Sequence, residues 1–347
     1  MRRFILRIIP FVIPFILCYL CYLYYGARDQ GDLLRIGNLA HSDKDYRNVF
    51  NQYTSVDTAY TDLSKATKRA YTALTIGDSF SQNGNIGYQN FLSNKEGVSV
   101  VHFNQKCNSI EMLNSIINGD LLDSMSLEYI IIQSVERSFV TRATNFDSTE
   151  IVNFHQAMKM DEKAKAHQRE QKILREKTPL FFSNSTIKFP LFNLLHLIDD
   201  NAFLSNVYRV KTEKNLFSTE NNELLFYEDD LLSLEINNNP DKIEAANQEL
   251  NFISSKLSKK GVKLIVAISP DKFGIYYDYI KQNTNYPKPL FFDYWNTLPK
   301  KYLYINTKEI LANSIKSIDN VYYYDDTHWS PIASEILANK ISEIISK

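Results

Sequence analysis

The 347-residue chain carries 39 basic and 40 acidic side chains, a formal charge of −1, so no strong overall field draws it to nucleic acid or to an anionic surface. Its length suits one large domain with an appendage, and 44% hydrophobic and 13% aromatic residues are ample for a packed core. Of three cysteines, Cys18 and Cys21 fall in an N-terminal apolar run and Cys107 stands alone in the remainder, which excludes a disulfide-built scaffold there.

The apolar run Ile8–Tyr25 holds no charge over 18 residues, close to the ~20 that span a bilayer, and Tyr19, Tyr22, Tyr24 and Tyr25 gather at its far end as interface aromatics do. Arg2, Arg3 and Arg7 precede it, so the positive-inside tendency keeps the N-terminus in the cytoplasm and puts everything after Ala27 outside. A cleaved signal peptide is the alternative, but the run is long for one and no small-x-small site stands near Gly26-Ala27. Residues 1–27 are therefore expected to be a single membrane anchor and 28–70, polar with scattered apolar positions, a stalk and lead-in.

From residue 71 to 347 the pattern is α/β. Strands are predicted at 73–76, 98–103 and 127–132, with Ile110, Leu113, Ile116 and Ile117 at helical spacing between the last two. Residues 154–177 are a charge-dense helical stretch, and the segment from about 141 to 240 breaks the rhythm and reads as an insertion. The rhythm returns with an amphipathic helix over 242–259, a strand at 262–268, further strands at 302–305 and 321–324, and a last helix that Ser330 caps and Pro331 opens. Strand and helix in alternation predict a parallel sheet.

Two loops carry chemistry. Gly77-Asp78-Ser79 follows the first strand of this region, and Asp325-Asp326-Thr327-His328-Trp329 lies between the last predicted strand and the capped helix. Carboxyl ends of parallel strands are where such folds place functional groups. A serine nucleophile needs an imidazole to take its proton and a carboxylate to orient that imidazole. His328 has two carboxylates just upstream, whereas His41 sits in the stalk, His102 in a strand, His155 and His167 in the charged helix and His196 in an apolar run.

These motifs, Gly77-Asp78-Ser79-Phe80 and Asp326-Thr327-His328-Trp329, resemble the first and last motifs of the SGNH/GDSL hydrolases, specifically the membrane-anchored branch that O-acetylates polysaccharides, such as the alginate O-acetyltransferases. The resemblance implies a three-layer, flavodoxin-like α/β fold with Ser79 as nucleophile, His328 as base and Asp326 as orienter, with Asp325 the alternative. It also implies O-acyl transfer, chiefly of acetyl, to a cell-envelope or secreted polysaccharide through an acyl-serine, without cofactor or metal. The expected location is the bacterial cytoplasmic membrane, single-pass, with the catalytic domain on the periplasmic side. A multispanning membrane acyltransferase is the implied acyl donor.

Glu136-Arg137 after the third strand, Lys272 in Ser269-Pro270-Asp271-Lys272, and Trp329 resemble elements of these enzymes and are candidates for substrate contact. The G-x-N-D block of ordinary SGNH hydrolases is absent, so the backbone N–H of Ser79, with Gln133 or Asn108, is the candidate oxyanion donor. The Asp-His motif follows the serine, as in the hydrolases, whereas in alginate acetyltransferases it precedes it. A carbohydrate esterase with the same triad, and a noncatalytic polysaccharide-binding or assembly subunit, are the competing functions.

Overall fold

A computed structural model describes residues 2–25, 31–39, 46–67, 70–177, 184–219 and 221–346. His41 and Arg28 lie outside the described residues, as do the side chains of Cys21, Tyr22, Tyr24 and Tyr25. The N-terminal apolar run is one helix, Arg2–Tyr25, whose side chains are exposed along Arg3–Leu20, long and apolar enough to cross a membrane or to act as a signal sequence.

The domain is built on a six-stranded sheet in the order β1-β3-β2-β4-β7-β8, where β1 is Thr61–Asp62, β2 Ala70–Ile76, β3 Val100–His102, β4 Ser126–Val135, β7 Lys263–Ser269 and β8 Leu303–Ile305. Every pairing in it is parallel. Strands buried on both faces read as unbroken apolar runs, which is why Ile130-Ile131-Ile132 and Leu264-Ile265-Val266 form the centre of the sheet. Alternate residues feed two cores. Ile131 and Ile265 point to a layer that includes Leu337 and Ile341 of the helix Pro331–Ile345, while Ile130 and Leu264 point to one that includes Leu250 and Ile253 of the helix Pro240–Lys259. The fold is thus a three-layer α/β sandwich. As expected, Ser330 Oγ accepts from the N–H of Ile332 at the start of the last helix, with Pro331 at its first position.

Two expectations are corrected. The described part of the expected stalk and lead-in is folded onto the domain: Leu33, Leu34, Leu39, Tyr46, Phe50 and Leu63 are buried, and Thr61–Asp62 adds an edge strand to the sheet. The aromatic run Val321–Tyr324 is not a strand of the sheet. It makes a single bridge, Tyr322 to Trp329, which pinches the Asp325–His328 loop into a narrow turn. The charge-dense helix Phe154–Lys177 packs on the domain. Its Asp161 is wholly buried and accepts the backbone N–H groups of Ser64 (2.8 Å) and Asn104 (2.6 Å), and its Lys165 reaches Asp62 at 2.5 Å. A two-stranded antiparallel hairpin, β5 Val207–Lys211 and β6 Glu223–Tyr227, completes the 141–240 region.

The packing of the 31–50 segment is measurable. Leu33→Ala should lower unfolding free energy by about 2–5 kcal/mol in urea titration, as truncation of a buried leucine does; an unchanged midpoint would restore the stalk.

Candidate active site

The serine loop is set by its neighbours. Gly77 ends β2 where no larger residue fits, since a Cβ there would lie 2.0 Å from Ser81 Oγ and 2.7 Å from Gln133 Oε1. Asp78 is engaged at both oxygens: Oδ1 accepts from the N–H of Phe80 (3.1 Å), and Oδ2 from the N–H of Val135 (2.8 Å) and from Arg142 (2.6 Å). The Asp of the motif is therefore a brace from the loop to the end of β4. It presents Ser79, half-buried, as the first residue of a single 3-10 turn.

The histidine loop arrives from the other side. His328 Nδ1 lies 2.5 Å from Asp326 Oδ1, and the same oxygen accepts the His328 backbone N–H at 3.0 Å. His328 Nε2 is shielded from solvent and has no hydrogen-bond partner among the described residues, which leaves it as the nitrogen able to accept a proton. The His328 ring packs against Phe80, next to Ser79, with centroids 4.7 Å apart. Ser79, Asp326 and His328 line one cleft of about 1130 Å³. The two candidate orienters have different surroundings: Asp325 is wholly buried and held by Arg47 (2.5 Å), the hydroxyl of Tyr46 and the N–H of Gly31, while Asp326 faces the imidazole.

Burial alone lowers the pKa of His328, but the hydrogen bond and negative charge of Asp326, with Asp32 behind it, outweigh that and raise it above 6.5. Burial works against the Asp326 carboxylate, yet the His328 hydrogen bond and charge hold it well below the usual carboxylate range. Asp32 was not singled out in the sequence. Its Oδ2 is 3.8 Å from His328 Nδ1, and its two oxygens accept the N–H (2.7 Å) and hydroxyl (2.6 Å) of Thr327. Burial, then the nearby Asp326 charge, raises its pKa. The chain at Gly31 passes so close that a Cβ there would lie 2.1 Å from the Asp325 carbonyl oxygen.

Lys272, expected as a substrate contact, is wholly buried beneath the loop. Its ammonium donates to the carbonyls of Tyr323 (2.6 Å), Tyr324 (2.6 Å) and Asp326 (3.2 Å). Glu136, Arg137, Gln133 and Trp329 are likewise absent from the cleft lining. Arg137 is clasped by Asp230 and Asp271, each at 3.0 Å, and Glu136 is buried, accepts the N–H of Asp271 and has its pKa pushed up to about 7 by burial. Gln133 lies under the serine loop with Oε1 accepting from Asp78 N–H and Ser81 Oγ and Nε2 donating to Ser269 Oγ (2.7 Å), so its donor is turned from the cleft. Asn108 caps the helix Ser109–Asn118 and donates to the Arg142 carbonyl. Trp329 is wholly buried edge-on to Phe80.

What the sequence reading missed is the cleft's far wall. Met160, Lys163, Ala164, His167 and Gln168 of the Phe154–Lys177 helix face Gln82, Asn83, Asn104, Gln105 and Lys106 across it. The signal available was weak, a helix with no single apolar face. Of the other histidines, His102 is buried against Thr75 Oγ1 (2.8 Å), its pKa lowered to about 4 by burial, and His196 Nδ1 meets the Asp200 carbonyl.

A parallel three-layer α/β domain with a serine after its central strand and an Asp-His pair from a C-terminal loop defines an SGNH-like hydrolase or acyltransferase architecture. Residues 221–347 match the family described as SGNH hydrolase-like domain, acetyltransferase AlgX, in agreement with the resemblance drawn from the two loop motifs. The matched stretch contains Lys272 and the whole Asp325–Trp329 loop and stops short of Ser79. No curated protein and no solved structure matches the chain.

The electrostatics are testable by NMR titration of His328. Its pKa should lie above 6.5, and Asp32→Asn, which removes a negative charge 3.8 Å away, should lower it. Because the folded value is raised, this pair adds stability that is fully present below 6.5 and is lost as pH rises through the folded pKa. A titration unmoved by Asp32→Asn would remove Asp32 from the site.

Proposed function

We propose that the chain is an O-acyltransferase that carries an acyl group, in the first instance acetyl, on Ser79 and passes it to a hydroxyl of an extracytoplasmic polysaccharide. The observation that supports this best is the Asp326–His328 pair sharing one cleft with Ser79 in a chain whose last 127 residues match an acetyltransferase domain family. Ser79 Oγ would attack the donor's acyl carbonyl while His328 Nε2 takes its proton and then returns it to the leaving group. The acceptor hydroxyl next gives its proton to Nε2 and attacks the acyl-serine carbonyl; the bond to Ser79 Oγ then breaks as Nε2 returns the proton to that oxygen. Asp326 holds the tautomer that keeps Nε2 unprotonated before each attack. With the donors of Gln133 and Asn108 engaged elsewhere, the backbone N–H of Ser79 is the group proposed to meet the oxyanion.

The cleft suits a sugar chain. Four residues with side-chain amides, Gln82, Asn83, Gln105 and Gln168, line it, and amides both donate to and accept from hydroxyls. An open cleft of about 1130 Å³ has room for an extended acceptor beside the acyl group. The exposed N-terminal helix fits a retained anchor that holds the domain outside the cytoplasmic membrane. Acetyl-CoA is not expected there, so the proposed donor is a multispanning membrane acyltransferase.

The test is acetyl release from a chromogenic acetyl ester by the full chain, with and without an oligosaccharide acceptor. Asp326→Asn should cut kcat by roughly 10⁴-fold and Ser79→Ala by roughly 10⁶-fold, and wild-type kcat/KM should rise with pH through a midpoint above 6.5 as His328 loses its proton. Transfer requires acetyl recovered on the oligosaccharide. Release to water that no acceptor diverts would make the protein an esterase, and full activity in Ser79→Ala would defeat the mechanism.

A further inference from the structure

Among the described residues outside the N-terminal helix, exposed large apolar side chains are most concentrated between residues 191 and 204. Leu191 (53% exposed), Leu194 (62%) and Ile198 (78%) recur at helical spacing along and just past the helix Asn184–Leu195, and Leu197 (75%), Phe203 (57%) and Leu204 (90%) continue the patch. Single exposed leucines are ordinary on a protein surface; six large side chains within fourteen residues mark a contact surface. The turn that presents Phe203 is strained. Ala202 and Phe203 both have positive φ, +51° and +65°, a backbone that bulky L-residues avoid. The Phe203 N–H is held by Asp199 Oδ2 at 2.6 Å, the Ser205 N–H by the Asn201 carbonyl at 2.7 Å. A turn fixed at that cost with its phenyl ring turned to solvent fits a docking element rather than a packing accident.

The place of this patch in the fold says what covers it. Val207, three residues beyond Leu204, is buried in one cluster with Leu33 and Leu34, and a Cβ on Gly37 would lie 2.9 Å from the Val207 Cβ. The patch therefore borders the segment through which the chain enters the domain. That segment begins at Gly31, six residues beyond Tyr25 at the end of the apolar helix. Six residues reach at most about 20 Å even fully extended, so an anchor in the bilayer brings this border against the membrane surface.

We propose that Leu191, Leu194, Leu197, Ile198, Phe203 and Leu204 form a membrane-seating surface that enters the interfacial layer of the same bilayer as the N-terminal helix. It would fix the orientation of the domain, where a single anchor alone would let it swing. The same entry segment touches the catalytic loop, because the Asp32 N–H donates to Asp326 Oδ2 at 3.2 Å and Thr327 donates to Asp32. Seating the patch thus sets the height of the Ser79–His328 cleft above the lipid. The proposal rests on the reading of the helix as a retained anchor.

The test uses the full chain, with Cys18→Ser, Cys21→Ser and Cys107→Ser, in phosphatidylethanolamine–phosphatidylglycerol vesicles that carry a doxyl group either near the headgroup or deep in the acyl chain. An environment-sensitive fluorophore is placed in turn on Leu204→Cys, on Val12→Cys in the apolar helix, and on Lys259→Cys, which is exposed at the end of the helix on the opposite face of the sheet. The expected result is loss of intensity at position 204 with the headgroup-proximal doxyl, loss at 12 with the deep one, and none at 259. A probe at 204 as unquenched as that at 259 overturns the surface, and so does a probe at 204 shifted to the blue yet unquenched by either lipid, which would mark a second copy or another protein as the occupant. The readout at 12 decides the anchor separately, so the two readings fail independently.

Discussion

A single buried ammonium holds the proposed base in place. Lys272 stands just beyond the end of β7, and its Nζ gathers the carbonyls of Tyr323, Tyr324 and Asp326 into a fan around one charge. Burial pushes its pKa down to about 7, with Asp325, Asp326 and Asp32 acting in the opposite sense. The geometry decides between the forms: a neutral amine has two N–H donors and the ammonium three, and three acceptors lie within reach. The charged form is the one this cavity selects, and it stabilises the two aspartates of the loop that it holds.

The serine is braced by a matching device on the neighbouring strands. Asp78 reaches from the end of β2 to the Val135 N–H at the end of β4 and to Arg142, while Gln133 ties the same loop to Ser269 at the end of β7. Both halves of the site thus hang from β2, β4 and β7, the rigid middle of the sheet, and meet above it, where Phe80, the residue after Ser79, packs on the His328 ring. The entry segment closes the far side, where Gly31 and Asp32 hydrogen-bond Asp325 and Asp326 and Arg47 neutralises Asp325. Asp326 is left as the loop carboxylate that faces the imidazole.

Much of this was legible in the sequence because it is local. Central parallel strands announce themselves as apolar runs, and the serine loop and the Asp-Thr-His loop each combine a turn with a polar cluster beside a predicted element. What was hidden depends on distant partners. Asp32 meets Asp326 across 294 positions, and no period or cap in residues 28–70 signals that contact. Val321–Tyr324 has the aromatic, β-branched composition of a strand, so the loop seemed to be delivered by the sheet directly. In the fold its tyrosines pack elsewhere, Tyr322 hydroxyl to the Pro270 carbonyl and Tyr324 hydroxyl to Glu223, and Lys272 does the delivering. The charge of the 154–177 helix masked a buried Asp161 and a wall of the cleft.

In the proposed mechanism Ser79 depends for its activation on Lys272, which fixes the Asp326–His328 loop beside the cleft. Labelling of the full chain with a fluorophosphonate, followed by peptide mass spectrometry, tests that dependence most directly. An adduct is expected on Ser79 in the wild type and should be lost in both His328→Ala and Lys272→Met, with circular dichroism showing that the sheet of each variant is retained. An unlabelled Ser79 in the wild type, or labelling undiminished in Lys272→Met, would contradict it.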